Sequence, residues 1–515
     1  MRKSEELYLV INLGLKSIRA IVFNKAGEVI FSQYSPIVTI LNGEFVEQEA
    51  SQWWRKAEEL LTVIAGNKSI IPHIKGITVT SSSSCLVPID HDNREIYNAI
   101  MVSDKRSEAE AKSIKQLRSF QVLSKNLGME ISAYHMLPKI LWLKRHKPEE
   151  YLKTKYFLSP NDYLNYKLTG KVITDTFNAQ KFHYDTKKGQ YPLNLLKAIG
   201  IDPEKMPRVE EPGFAIGFIK PELVQKFNFN KDVKIILSTY DAICAYFGSG
   251  PHGEGVACDV SGTVTSLRTG TNKKLRKNIE NIFCSFLKGH GLNIVGASNN
   301  LGGGLIEWGK QAFYSKENNR YLLMEKEAAE SGVGARGLVF LPYLLGERAP
   351  IWDPDVRGMF FGIERVHTRK DFIRSVFEST AFITNDLVRE IEHHGIKIHT
   401  IRVSGGLSRI NLISQIKADV TGKRVELLSE PETTSIGALS FLLLGMGVYR
   451  DLKSIVSTFS KVSVVFEPNR KNYENYQKIF HLYQKIYRSS KGLFKIRKKI
   501  VDGLYWNLNN SIENL

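Results

Sequence analysis

Residues 235–266 read IILSTYDAICAYFGSGPHGEGVACDVSGTVTS. Val233 to Leu237 is a short apolar run that predicts a buried strand. Ala242, Ala245, Tyr246 and Phe247 then recur at helical spacing, and Gly248 to Gly255 ends the helix in a turn. One acid, Asp241, stands at the strand-to-helix junction. Open α/β sheets bind ligands where their strands end, so Asp241 is a candidate general base for a hydroxyl proton. An Asp just before a helical pattern is also an ordinary N-cap, and the stretch by itself leaves both roles open. Val256 to Ser266 follows as a β-rich run broken by Ser261-Gly262-Thr263, whose amides and hydroxyls suit phosphate oxygens.

Upstream, LYLVINLG, IRAIVFN and EVIFSQY predict a β-hairpin and a third strand, with Gly14 supplying the tight turn. Ile74 to Thr80 is the next buried strand, and it runs into Ser81-Ser82-Ser83-Ser84-Cys85. A serine run is usually a loop; at a strand end its hydroxyls can also meet a ligand. Asp104 and Arg106 sit on alternate positions after an apolar strand and face one side, where hydrogen bonds to a ligand's hydroxyls and a surface ion pair are both open. Glu47 reads as a surface or cap residue, Asp162 as a helix cap, and the aromatics around Tyr134 and Trp142 as core. Downstream, Gly302-Gly303-Gly304 leads into an amphipathic helix. Val403 to Arg409, VSGGLSR, reads as strand, glycine turn and helix, an arrangement that favours an anion at the helix start. Residues 470–499 are basic with Tyr473, Tyr476, Phe480, Tyr483 and Tyr487 at helical intervals, a stripe that reads as core.

In this order, over about residues 7–488, these segments resemble the FGGY carbohydrate kinases, ATP-dependent kinases of sugars and polyols. GLVFLPYLLGERAPIWDPDVRGMFFG, residues 337–362, matches that family's signature closely. The resemblance implies an α/β chain with the two-domain actin-like ATPase (ribonuclease H-like) fold and an interdomain cleft. An N-terminal sugar-binding domain would span 1–250, a C-terminal nucleotide-binding domain 251–488, and a basic tail 489–515. It implies Asp241 as general base; Gly14, Ser17, Arg19, Gly262, Thr263, Gly303, Gly304, Gly405 and Gly406 on the nucleotide; and Ser82, Ser83, Ser84, Asp104, Arg106 and Asp241 on the sugar. ATP and Mg²⁺ are the implied cofactors. Glu347 and Arg348 are expected to pin their irregular segment against its domain. The first phosphate loop departs from the pattern: Asn12 and Leu15 stand where the family has Asp and Thr. An amide offers Mg²⁺ only a neutral carbonyl, so Asn12 is expected to act through a water. That departure opens a second reading, an attenuated or non-catalytic binder of sugar and nucleotide on the same fold.

At 515 residues, 43% hydrophobic and 24% charged, the chain can build two or more cores. Its net charge of +18 comes from lysines spread along the whole length, without a DNA- or RNA-binding signature; an anionic substrate is enough to accommodate it. Neither nucleic acid nor membrane is an expected partner, and a homodimer is open. The basic then apolar N-terminus is too short for a signal peptide or spanning helix. Cys85, Cys244, Cys258 and Cys284 show no metal-ligand spacing, as in a reduced, cytoplasmic protein.

Overall fold

Runs such as LYLVINL lack the alternation of a half-exposed strand because they are covered on both faces. Such runs form the central strands β1 (Leu7–Leu13), β2 (Ser17–Asn24), β4 (Ile74–Ser81) and β6 (Lys234–Leu237), flanked by the more exposed β3 (Val29–Pro36) and β5 (Ala215–Phe218). The computed structural model describes residues 6–43, 45–127, 129–250, 254–262, 264–273, 275, 282–429 and 432–512. Thr263, expected at a phosphate, lies outside the described residues. The six strands make one sheet in the order β5-β6-β4-β1-β2-β3, with β4 parallel to both β1 and β6.

A second sheet uses β7 (Gly255–Ser261), β8 (Thr265–Thr271), β9 (Phe283–Leu287), β10 (Leu292–Ser298), β11 (Ile398–Ser404), β12 (Arg424–Leu428) and β13 (Val462–Phe466), in the order β9-β10-β8-β7-β11-β12-β13. Its plan repeats the first. A hairpin, β7–β8, is continued on one side by antiparallel strands, two here and one in the first sheet, and on the other by two parallel strands and an antiparallel edge. The two loops read as phosphate-binding, after β1 and after β7, therefore occupy equivalent places in two copies of one topology.

Helices α1 (Asp241–Gly248), α2 (Gly303–Phe313), α3 (Arg369–His393), α4 (Thr433–Gly445) and α5 (Arg470–Ile512) complete the frame used below. Alternate residues of β1 go to different cores: Leu9 and Ile11 pack with Trp53 on one face, Tyr8 and Val10 with Ile243, Ile436 and Leu439 on the other. Cys258 and Ile294 of the second sheet join that last cluster, so α1 and α4 form the layer shared by both halves. They cross closely because of two glycines. A Cβ on Gly248 would lie 1.8 Å from the Thr433 carbonyl oxygen, and one on Gly437 would lie 1.7 Å from that of Cys244. The outer face of the second sheet packs Leu267, Val295 and Val403 against Leu387 and Val388 of α3.

One expectation changes at the C-terminus. Residues 489–512 are not a separate tail: α5 continues unbroken to Ile512, and Phe494 joins Tyr476, Phe480, Tyr483 and Tyr487 in the core under α3. The four cysteines are free thiols, three of them buried. Among the described residues no helix is long and apolar enough to cross a membrane.

Candidate active site

Asp241 is the first residue of α1, with Tyr240 as the N-cap. Its position is set by the parallel strands beneath it. Thr80 Oγ1 donates to the Thr239 carbonyl at 2.8 Å, and Ser238 Oγ donates to the Val79 carbonyl at 2.6 Å, tying the ends of β4 and β6 together. Asp241 Oδ1 accepts the Ala242 N–H at 2.6 Å, so part of the helix-start role is real. Its other oxygen accepts nothing from a described residue. Burial raises the carboxyl to about 6, against the opposing pull of the Ala242 amide, Arg268 and Lys181. A base in that range is ionised at neutral pH yet basic enough to accept a proton in a reaction.

The serine loop lies beside this acid, since Cys85 feels the Asp241 charge. Ser82 and Ser84 are buried and Ser83 is half-buried. Ser82 Oγ sits 3.8 Å from Cys85 Sγ, whereas the Ser83 and Ser84 hydroxyls have no hydrogen-bond partner among the described residues. Fully buried Lys139 props the loop, donating to the carbonyls of Ser84 and, at 2.8 Å, of Met101; burial lowers its amine to about 8.

Asp104 and Arg106 do not stand open to a ligand, nor do they form a surface pair. Arg106 makes a bidentate pair with Asp104 at 2.8 and 2.7 Å and a 2.7 Å ion pair with Glu47, and it also donates to Tyr97 OH at 3.1 Å. Its guanidinium sits in the corner between the Phe45 and Trp142 rings, 3.9 and 4.8 Å from their centroids, and the remaining Asp104 capacity is used by the Val46 N–H. Their hydrogen-bonding groups are consumed within the N-terminal half. Glu47 is thus a member of a buried network rather than a surface residue. Asp162 is the N3 partner in a capping box whose N-cap is Ser159.

On the other side, three chain segments meet backbone to backbone. The Gly303 N–H donates to the Gly262 carbonyl at 2.7 Å. A Cβ at Gly303 would lie 2.5 Å from that oxygen, and one at Gly405, where φ is +87°, would lie 2.7 Å from the Ser261 carbonyl. The hairpin after β7, the start of α2 with Gly303 and Gly304, and the turn after β11 with Gly405 and exposed Gly406 come together in one glycine-rich cluster. It offers amides and a helix N-terminus to phosphate groups. Beneath it, fully buried Asp259 is held by Lys417, by Ser261 Oγ at 2.6 Å and by Thr384 Oγ1 at 3.1 Å.

The first loop is built differently. Gly14 N–H donates to the Ser17 carbonyl at 2.9 Å, Asn12 Nδ2 donates to Ser435 Oγ of α4 at 3.2 Å, and Arg19 pairs with Glu432 at 2.6 Å. Asn12 keeps its carbonyl oxygen free of described donors. Among the described residues no three His, Cys, Asp or Glu side chains gather to hold a metal by themselves.

Sequence reasoning missed Lys181, Arg268 and Arg348. Lys181 Nζ lies 4.9 Å from the Tyr240 ring and 5.1 Å from that of Phe283 across the divide, and burial, with Arg268 and Arg348 nearby, lowers it to about 8. Arg348 does not pair with Glu347; it donates to the Asn299 carbonyl and lies 5.6 Å over half-buried Tyr134, which is therefore not plain core. Glu347 does pin its segment, accepting the amides of Asn300 and Arg348, each at 2.7 Å. The signal for Arg268 was present: an arginine inside the otherwise uncharged strand TSLRTGT.

The comparisons agree with this arrangement. The profile for the FGGY family of carbohydrate kinases matches with its N-terminal domain at residues 7–248 and its C-terminal domain at residues 262–445. A xylulose kinase of Bacillus subtilis is 27% identical over 491 residues, covering 94% of this chain and 97% of the relative. The structure of ligand-bound xylulose kinase from Lactobacillus acidophilus superposes with a TM-score of 0.88 at 25% identity, over 95% of this chain and 99% of that one. A gluconate kinase from the same organism gives 0.87 at 25% identity, over 95% and 98%. With two sheets of repeated topology in the two-domain actin-like ATPase fold and both family domains matched in order, the chain belongs to the FGGY family of carbohydrate kinases.

Proposed function

We propose that the chain transfers the γ-phosphoryl group of ATP to a hydroxyl of a small polyhydroxylated substrate. The observation that carries this reading is the presence of both a raised, partly unengaged carboxylate at Asp241 and the glycine-rich backbone cluster of Gly262, Gly303 and Gly405. The acceptor would lie on the serine-loop side and ATP on the glycine side. Asp241 takes the hydroxyl proton as the oxygen attacks the γ-phosphorus; the bond to the leaving ADP oxygen breaks, and the proton passes to solvent after release. Backbone amides around Gly262 and Gly303 offset the charge on the transferring group. Mg²⁺ entering with the nucleotide would supply further neutralisation, and the Asn12 carbonyl and the Asp241 carboxylate would orient its waters. Closure of the two halves would exclude water, so that the phosphoryl group meets the acceptor. Nothing in the relatives or in the geometry around Asp241 favours the attenuated or non-catalytic reading.

The test is ATP consumption, with and without Mg²⁺, across pentuloses, hexuloses, aldoses, sugar acids, glycerol and longer polyols, with Asp241→Asn as the blank. Stimulation by one acceptor, reduced by about 10²–10⁴ in the variant with an unchanged melting temperature, is expected. Near-normal turnover in Asp241→Asn would sink the reading.

A further inference from the structure

Three cations, Lys181, Arg268 and Arg348, cluster on the Asp241 side of the site, with Arg268 and Lys181 near enough to pull on its carboxyl and Arg348 near enough to Lys181 to lower its amine. Arg268 is 8% exposed; one of its terminal nitrogens donates to Ser266 Oγ, and its Nε has no partner. Arg348 spends one nitrogen on the Asn299 carbonyl, and its Nε is likewise buried and unpartnered. Lys181 leans on the Tyr240 and Phe283 rings and donates to no described residue. None of the three forms an ion pair with a described residue, although a folded chain with 53 acidic residues had many available. The two other acids nearby are already used: Asp175 accepts from the amides of Phe177 and Asn178 and from Asn178 Nδ2, and Glu347 accepts the amides of Asn300 and Arg348.

Holding several cations together without a counter-charge is costly, and orphaned guanidinium N–H groups add to the cost. An oxyanion in their midst would remove both penalties. Its position points to the acceptor rather than to ATP. Lys181 and the Tyr134 ring under Arg348 come from the half that carries the serine loop, and Lys181 rests on Tyr240, the residue before the base. A neutral ketose or glycerol brings no charge to such a place.

Resting on the kinase reading, we infer that the acceptor is a polyhydroxy acid of the aldonate type, its carboxylate held by Lys181, Arg268 and Arg348 and one of its hydroxyls set against Asp241. The test compares matched acceptors: gluconate with glucitol and fructose, xylonate with xylitol and xylulose. An aldonate is expected to exceed its neutral partners in kcat/KM by a hundredfold or more. Lys181→Met and Arg268→Met should each raise KM for the acid more than tenfold and leave KM for ATP unchanged. Calorimetric titration of gluconate and xylonate into Asp241→Asn, in the presence of a non-hydrolysable ATP analogue, reads the same site without relying on those variants folding; binding of an aldonate and not of its neutral partners is expected. A neutral acceptor preferred over every acid overturns the inference and leaves the kinase reading standing. So does a rise in KM for ATP alone in the lysine and arginine variants, which would assign the cations to the transferred phosphate. Failure of every acceptor would sink both.

Discussion

The hairpins β1–β2 and β7–β8 occupy the same place in two sheets of the same plan, yet they are held by different means. After β7 the chain is fixed by backbone against backbone, Gly262 on Gly303 and Gly405 on Ser261, above a fully buried Asp259–Lys417 pair. After β1 it is fixed by side chains reaching to the helix α4 region: Asn12 to Ser435, and Arg19 to Glu432 in a pair 43% and 33% exposed. Glycine contact leaves no room for adjustment and suits a surface that must always present amides to phosphates. Side-chain contact between the halves can break and re-form, and suits a loop that follows domain closure.

The largest effect expected on this contrast comes from the buried pair. Lys417→Met leaves Asp259 charged without its partner and should cost about 3–5 kcal/mol in denaturant unfolding. Asn12→Ala, on the other hairpin, should cost about 1 kcal/mol. Equal losses would erase the distinction. Gly405→Ala puts a methyl group into the Ser261 carbonyl at positive φ and should cost about 2 kcal/mol, with weaker ATP binding by calorimetry. Gly14→Ala meets its nearest atom at 3.5 Å and should change stability by under about 0.5 kcal/mol.

A smaller effect is set by acid. Asp241 acts as a base only when ionised, so kcat/KM should fall as pH drops through about 6, roughly tenfold per unit below it. A profile flat to pH 5 would remove Asp241 from the proton transfer. The smallest change sharpens the first hairpin: Asn12→Asp should raise turnover or lower the Mg²⁺ needed for half-maximal rate. No change would mean that this position does not serve the metal.

Much of this was legible in the residues. Asp241 at a strand end and the glycine turns at 262, 303 and 405 follow from local rules, because strand ends and tight turns leave short-range signatures. Asp104 and Arg106 misled, since alternation says that two charges share a side but not which way that side faces. Here Phe45, Tyr97, Trp142 and Glu47 enclose them. Likewise the basic stretch past residue 488 reads as a tail only until Phe494 is placed in a core with partners more than a hundred residues away.

By itself the order of segments determined the family, its two-domain fold and the candidate base, because each depends on patterns a few residues long. Only the tertiary structure decided which charges are spent and which are left over. Arg106 pairs with carboxylates at 47 and 104, while Lys181, Arg268 and Arg348 form no ion pair with a described residue, although all four are simply basic residues in the chain. Whether a charge is balanced depends on what long-range folding brings within a few ångströms, and Coulomb energy at that range in a poorly solvated site is what local sequence does not record.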